Sequence, residues 1–280
     1  MTATALDAAT SITEPATTSI PSTIPAPAGP SRRGQGVGSL LTDPSDVAAA
    51  LADDPIGFAR HADSVLEGAD PLTVLAWAGR AFGRELAVTA AMGDTALAHL
   101  ASRAVPGVHV LFVDTGYHFG ETLGTADALA TTYPVRLITV RAQQSVVAHE
   151  AEHGRQYRSD PDACCAVRKV APLNQALSGY RAWATGLRRS DSPSRALTPT
   201  VQWDPRRSLL KLAPIATWTD DELDAYLDAH PDVISNPLLQ MGYPSIGCWP
   251  CTQPVAEGED ARSGRWAGRS KTECGIHYQI

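Results

Sequence analysis

The chain has 280 residues, 44% hydrophobic and 19% charged, with a net charge of −7 at pH 7 and an isoelectric point near 5.6. That length suits one sizeable α/β domain with appendages, and the acidic balance argues against a general nucleic-acid-binding surface. No apolar run approaches the roughly 18 residues of a membrane span. Five cysteines, with no basic and apolar leader before them, point to thiol chemistry in a reducing cytoplasm rather than to a disulfide framework.

Residues 1–44 are rich in Thr, Ser, Ala and Pro and are expected to form a disordered low-complexity tail, because they cannot bury enough apolar surface to offset ordering. Within them, RRGQGVG (Arg32 to Gly38) has alternating glycines but no preceding strand and no following Lys-Ser/Thr, so it reads as a linker. An α/β nucleotide-binding domain is expected over residues 45–251 and a mobile C-terminal tail over 252–280. Helical patterning begins at Asp46, and Asp70-Pro71 reads as an N-cap followed by proline at the first helical position. Strands then alternate with helices: a strand over Glu85 to Ala91, a helix over Asp94 to Ala104, a strand over Val108 to Asp114 and a helix over Gly120 to Thr132. Further strands are expected over Val135 to Val140, Arg181 to Leu187 and Ser208 to Ile215, then a helix opened by Thr219 and Glu222 at capping-box spacing. Apolar strands separated by helices predict a doubly wound, mostly parallel sheet covered on both faces, with ligands beyond the carboxyl ends of its strands.

The cysteines carry most of the chemistry. Cys164 and Cys165 are adjacent and cannot easily pair with each other, since that disulfide closes a small strained ring. Cys248 and Cys251 form a C-x-x-C. Two thiolate pairs brought together by a fold suit a tetrahedral zinc ion or an iron–sulfur cluster. Neighbouring cysteines would have to converge on one point around zinc, whereas a cluster offers a separate iron corner to each. Cys274, in KTECGIH, stands apart near Lys271 and His277. Positive charge makes thiolate nucleophile, and Cys274 reads either as a nucleophile on a swinging tail or as a surface cysteine in a basic segment. Arg168, Lys169, Arg188, Arg189, Arg195, Arg262, Arg265, Arg269 and Lys271 concentrate in the cysteine-bearing segments and in the loop after the fourth expected strand. In an acidic chain, that placement suggests a small anionic ligand.

Taken together, CC at 164–165, CWPC at 248–251, VDTGYHFGET at 113–122, WATGLRRSDSPSR at 183–195 and KTECGIH at 271–277 resemble the assimilatory adenylyl-sulfate (APS) reductases. The similarity runs from about Glu85 to His277 and more weakly back to about Asp46. It implies an adenine nucleotide α-hydrolase-like fold and a [4Fe–4S] cluster on Cys164, Cys165, Cys248 and Cys251. It also implies reduction of APS to sulfite and AMP for cysteine biosynthesis, with thioredoxin or a related dithiol protein as electron donor; a homo-oligomer is compatible with it. Cys274 would be the nucleophile, aided by Lys169 and His277. The nucleotide would be bound by Asp94, Asp114, Thr115, Gly116, Arg189, Arg195, Arg262 and Arg265. Sister enzymes that reduce 3′-phosphoadenylyl sulfate (PAPS) share the terminal motif but usually lack the four cluster cysteines. One departure is Ala90, which stands where the resemblance calls for Ser; Thr89 or Thr95, or backbone amides at the helix start, would have to replace that contact. The competing readings are a PAPS reductase or ATP pyrophosphatase of the same fold, and a non-enzymatic zinc-stapled nucleotide-binding module.

Overall fold

A computed structural model describes residues 39–277. Most of the expected N-terminal tail, including the linker over Arg32 to Gly38, and residues 278–280 lie outside the described residues. The packed chain starts before residue 45: Leu40 is buried, and the Leu41 carbonyl accepts from Trp77 Nε1 at 3.0 Å.

Three N-terminal helices, α1 (Pro44–Asp53), α2 (Pro55–Leu66) and α3 (Pro71–Phe82), begin alike. Asp43, Asp54 and Asp70 each accept a first-turn N–H, and the following proline has no N–H to leave unpaired. The expected βα alternation follows: β1 (Leu86–Thr89), α4 (Ala96–Ala104), β2 (His109–Asp114), α5 (Gly120–Thr132) and β3 (Arg136–Arg141). Then come short helices α6 (Val146–His153), α7 (Gln156–Ser159), α8 (Pro161–Cys165) and α9 (Ala171–Leu177). Strand β4 (Ala182–Thr185), strands β5 (Val201–Asp204) and β6 (Leu209–Leu212), and helix α10 (Asp220–Ala229) complete the domain. All the expected strands but β3 are shorter than their apolar runs. The run over Glu85 to Ala91 ends at Thr89 because Met92 takes a positive φ of 60° and turns the chain. Thr219 and Glu222 make the expected reciprocal cap of α10.

The sheet order is β3-β2-β1-β4-β6-β5. Every pairing is parallel except β5 with β6, which is antiparallel, so the sheet is mostly parallel with a reversed edge. Alternation divides the core. Val88, Ala184 and Leu212 face one side, against α2, α3 and α4, while Ala87, Trp183 and Leu209 face the other, against Leu173 and Leu177 of α9. Both faces are therefore covered. The order reverses between β1 and β4, which places a crevice at their carboxyl ends.

Between α8 and α9 the chain makes a π-helical stretch, Ala166–Val170. Adjacent residues of a regular helix point about 100° apart, so one of a neighbouring pair usually faces solvent. Here both Arg168 and Lys169 are buried, at 4% and 9% exposure. The wider turn carries two adjacent cations inward directly after the cysteine pair.

Candidate active site

A cavity of about 370 Å³ lies at that crevice, with Thr89 of β1 and Thr185 of β4 on its wall. Asp94, Lys169, Arg195, Arg262, Arg265, Cys274 and His277, all singled out in the sequence, line it. They come from the turn after β1, the π-helical stretch, the loop after β4 and the C-terminal segment, so the fold gathers groups spread over most of the domain.

The C-terminal segment is held in place by charge. Arg195 donates through Nε and Nη2 to both oxygens of Glu273 at 3.0 Å, and through Nη1 to Asp191 at 2.9 Å. Arg262 adds a second contact to Glu273 at 3.3 Å and donates to the Thr272 carbonyl at 2.8 Å. This two-sided clamp acts one residue before Cys274. Arg265 reaches the cavity past Gly247, where a Cβ would stand 2.3 Å from its guanidinium, and donates to the Ile246 carbonyl at 3.2 Å. Burial draws the Arg262 pKa below its ordinary value. Burial also acts most strongly on Lys169 and pulls its ammonium down, but the thiolates of Cys248 and Cys274 more than offset it, and Lys169 ends above its usual value. His277 stays neutral well below its ordinary pKa through burial and the nearby charges of Lys211 and Arg195.

Cys164, Cys165, Cys248 and Cys251 line one small adjoining cavity together with Lys169. Burial, then repulsion from the other three cysteines, pushes the Cys164 thiol up to about 12; burial is also the main cause that pushes Cys165 up to about 11. Four thiolates are unfavourable so close together unless cations stand between them. Among the described residues no group of three or more His, Cys, Asp or Glu side chains converges tightly enough for a single metal ion. Four thiols around a shared space have the donor chemistry that a cluster with separate iron corners requires.

The motif over 113–122 braces this cysteine site. Arg168 donates from Nε to the Thr115 carbonyl at 2.7 Å and from Nη1 to the Gln144 carbonyl at 2.9 Å. Thr115 Oγ1 meets Cys248 Sγ at 3.2 Å, and the Tyr117 carbonyl accepts from Trp249 N at 2.8 Å. Gly116 has a φ of 76°, and a Cβ there would stand 2.4 Å from Val146. Thr115 lines the cysteine cavity, and neither it nor Gly116, both expected at the nucleotide, is among the residues lining the cavity at the sheet crevice. Asp114 also lies off it, paired with Arg141 at 2.9 Å and accepting from Gly116 N.

Arg189, also expected at the nucleotide, is not among the residues lining that cavity. It makes a forked pair with Glu67, the residue that caps the end of α2, at 2.7 and 3.0 Å, while its neighbour Arg188 lines the cavity. The hydroxyls proposed to replace a serine at Ala90 are committed elsewhere: Thr89 donates to the Ala184 carbonyl and Thr95 to the Ile234 carbonyl. Backbone amides before α4 remain for an anion at that place.

Residues 85–254, well over half of the chain, match the family described as phosphoadenosine phosphosulfate reductase domain. The chain belongs to that family. A Streptomyces coelicolor protein named adenosine 5′-phosphosulfate reductase is 54% identical over 221 residues, 79% of this chain and 93% of that one. A Mycolicibacterium smegmatis protein of the same name is 44% identical over 234 residues, covering 83% and 99%. Among solved structures, a phosphoadenylyl-sulfate (PAPS) reductase from Candida auris, a phosphate complex, superposes with a TM-score of 0.61 at 27% identity, over 71% of this chain and 97% of its own. For this member of the family, sequence reasoning missed Glu273, the anchor of the C-terminal segment. Its place beside Cys274, with arginines elsewhere lacking partners in sequence, was the available signal. His118 also lines the cavity, with Nε2 at 2.9 Å from the Val113 carbonyl and a buried Nδ1 without a partner among the described residues. Among the described residues no helix is long and apolar enough to cross a membrane.

Proposed function

We propose that the chain reduces adenylyl sulfate to sulfite and AMP in assimilatory sulfate reduction, through an S-sulfocysteine on Cys274, with thioredoxin or a related dithiol protein as electron donor. The observation that carries this reading is that Cys274 lines the same cavity as Lys169, Arg262 and Arg265. Thiolate, phosphate and sulfate are all anions, and their approach requires fixed positive charge. AMP is a good leaving group from the electrophilic sulfur of a mixed anhydride, so Cys274 Sγ forms the new S–S bond as the S–O bond to AMP breaks.

In this reading Lys169, Arg262 and Arg265 neutralise the phosphosulfate. Arg195 holds Glu273 and so positions Cys274, and Asp94, which accepts from Ala96 N at 3.2 Å, orders the anion-facing start of α4. His277 seals the cavity against Trp183. Cys164, Cys165, Cys248 and Cys251 would hold a [4Fe–4S] cluster, whose irons would keep the four thiolates ionised and supply fixed charge beside Lys169. The dithiol partner then attacks Sγ and sulfite leaves; the partner's second thiol closes its own disulfide and frees Cys274. Relatives named adenosine 5′-phosphosulfate reductase support this substrate.

A second reading, reduction of PAPS, draws on the Candida auris neighbour. The test is product formation from each nucleotide with reduced thioredoxin. A kcat/KM for APS at least about tenfold above that for PAPS, or roughly 1.4 kcal/mol at the transition state, is expected. Equal or reversed preference replaces this reading with the second.

A further inference from the structure

Cys274 sits between two anchors of the C-terminal segment. On one side Glu273 is held by Arg195 and Arg262. On the other, Gly275 has a φ of 78°, a left-handed turn that suits glycine, and directs Ile276 and His277 onto the sheet. The Ile276 side chain packs against the buried cluster that contains Leu173, Leu177 and Trp183. Its carbonyl accepts from Arg207 Nη2 at 3.0 Å.

Arg207 belongs to the turn between β5 and β6, and its other guanidinium nitrogens are tied to the body of the domain. Nε donates to Asn174 Oδ1 of α9 at 2.8 Å, and Nη1 donates to Asp204 Oδ2 at 2.7 Å. Asp204 is 4% exposed and also accepts from the backbone N–H groups of Arg206 and Arg207. The guanidinium lies 5.1 Å from the centre of the Trp183 ring, the ring on which His277 stacks. A planar fork fixed through two of its nitrogens aims the third with little further loss of side-chain freedom. Arg207, Asp204, Asn174 and Trp183 therefore form a seat that does not depend on the segment, aimed at a peptide carbonyl two residues after the nucleophile.

Resting on the proposed APS reduction, we propose that Arg207 is a positioning residue for Cys274: it seats the segment for attack on APS and lets it go for the second half of the reaction. The first half needs Sγ held beside Lys169, Arg262 and Arg265, because small misplacements of a nucleophile are costly. The second half needs the adduct presented to another protein's dithiol, which requires the segment off its seat. The contact is built to reverse. His277 Nδ1 is buried with no hydrogen-bond partner among the described residues, and it gains one from water when the segment lifts. Arg207 Nη2 exchanges the Ile276 carbonyl for water in the same step.

The test separates the two half-reactions in full-length, cluster-loaded protein. Arg207→Lys keeps a charge beside Asp204 but loses the fork that reaches Asn174 and Ile276 together. Ile276→Ala weakens the same contact from the segment's side and leaves Arg207 and its domain partners in place. At saturating APS both variants should form the Cys274 adduct about tenfold more slowly than wild type, while affinity for AMP, which reports the fold, stays within about threefold. Sulfite release from preformed adduct by reduced thioredoxin should be as fast as in wild type or faster. Alkylation of Cys274 by iodoacetamide should also be faster, as the open population grows. Adduct formation within about twofold of the wild-type rate in either variant would overturn the assignment. So would sulfite release slowed by the same factor as adduct formation, which marks general damage rather than a lost closed state. Failure of the wild-type protein to form any adduct would instead remove the proposed function, and the seat's role with it.

Discussion

The imidazole of His277 lies flat on the indole of Trp183, with ring centroids 5.7 Å apart and planes 10° from parallel. Trp183 comes from the middle of β4 and His277 from the C-terminal segment, so this stack closes the segment onto the sheet. The neighbouring cations Arg207 and Lys211 approach the other parts of the indole at 5.1 and 5.6 Å. A protonated His277 would face Lys211, Arg195, Arg207 and Arg262, and burial already drives its pKa well below 6.5. A released imidazole takes a proton near 6.5, while the stacked one does not. The stability of the closed segment is therefore fully present above that pH and falls as pH drops below it, until the stacked ring itself is protonated. The protection of residues 271–277 against hydrogen exchange, taken relative to the intrinsic exchange rate at each pH, should fall by up to about tenfold from about pH 7.5 to about pH 5.5. His277→Phe keeps an aromatic stack without a titrating ring and should flatten that dependence; an unchanged slope would assign it to another group.

Lys169 should matter for adduct formation and little for iron content. Lys169→Ala removes a buried cation from the cavity that Cys274 lines, and loss of one such electrostatic group slows the chemical step by about 10²-fold. Rapid quench and mass spectrometry of the KTECGIH peptide measure the rate. Lys169→Arg should recover only part of it, because a planar fork cannot occupy the space of a compact ammonium.

The cysteines should separate into two classes. Cys165→Ser is expected to lose iron and the broad absorption near 400 nm of a thiolate-ligated cluster, together with most activity. Cys274→Ser should keep iron and nucleotide binding yet form no adduct and no sulfite, since a serine oxygen cannot make an exchangeable sulfur–sulfur bond. Iron analysis on anaerobically purified protein, paired with the adduct assay, reads both. Iron loss in Cys274→Ser, or full iron in Cys165→Ser, would reverse the assignments.

The loop that turns the chain after β1 depends on Asn236. Its buried amide donates to the Met92 carbonyl at 2.8 Å and to Thr122 Oγ1 at 3.1 Å, and its own oxygen accepts from Leu238 N at 3.1 Å. Asn236→Ala leaves buried polar groups unpaired beside a residue already at positive φ, costing about 2 kcal/mol. Thermal unfolding should shift down by about 4–8 °C, and the apparent KM for APS should rise as the cavity floor loosens.

Much of this protein was legible in order of residues alone. Apolar runs and capping residues are local, so five strands, the span of α5 and the cap of α10 could be read directly. The four paired cysteines and Cys274 announced thiol chemistry because thiolates in pairs have few other uses in such a chain. Strand β5 was not legible, since Val201–Asp204 is short, ends in Asp and runs into a proline; only its pairing with β6 makes it a strand. The π-helical stretch was equally silent, because AVRKV has ordinary helical propensity and only packing directs both cations inward. Tertiary structure alone decided which of two adjacent arginines faces the cavity: Glu67, far away in sequence, captures Arg189 and leaves Arg188 in place. It likewise decided that Thr115 and Gly116 brace cysteines, and that Glu273 clamps the segment bearing Cys274. Residue type dictates what a side chain can do chemically, but its direction and partners depend on contacts between distant parts of the chain, and those exist only once the sheet has assembled.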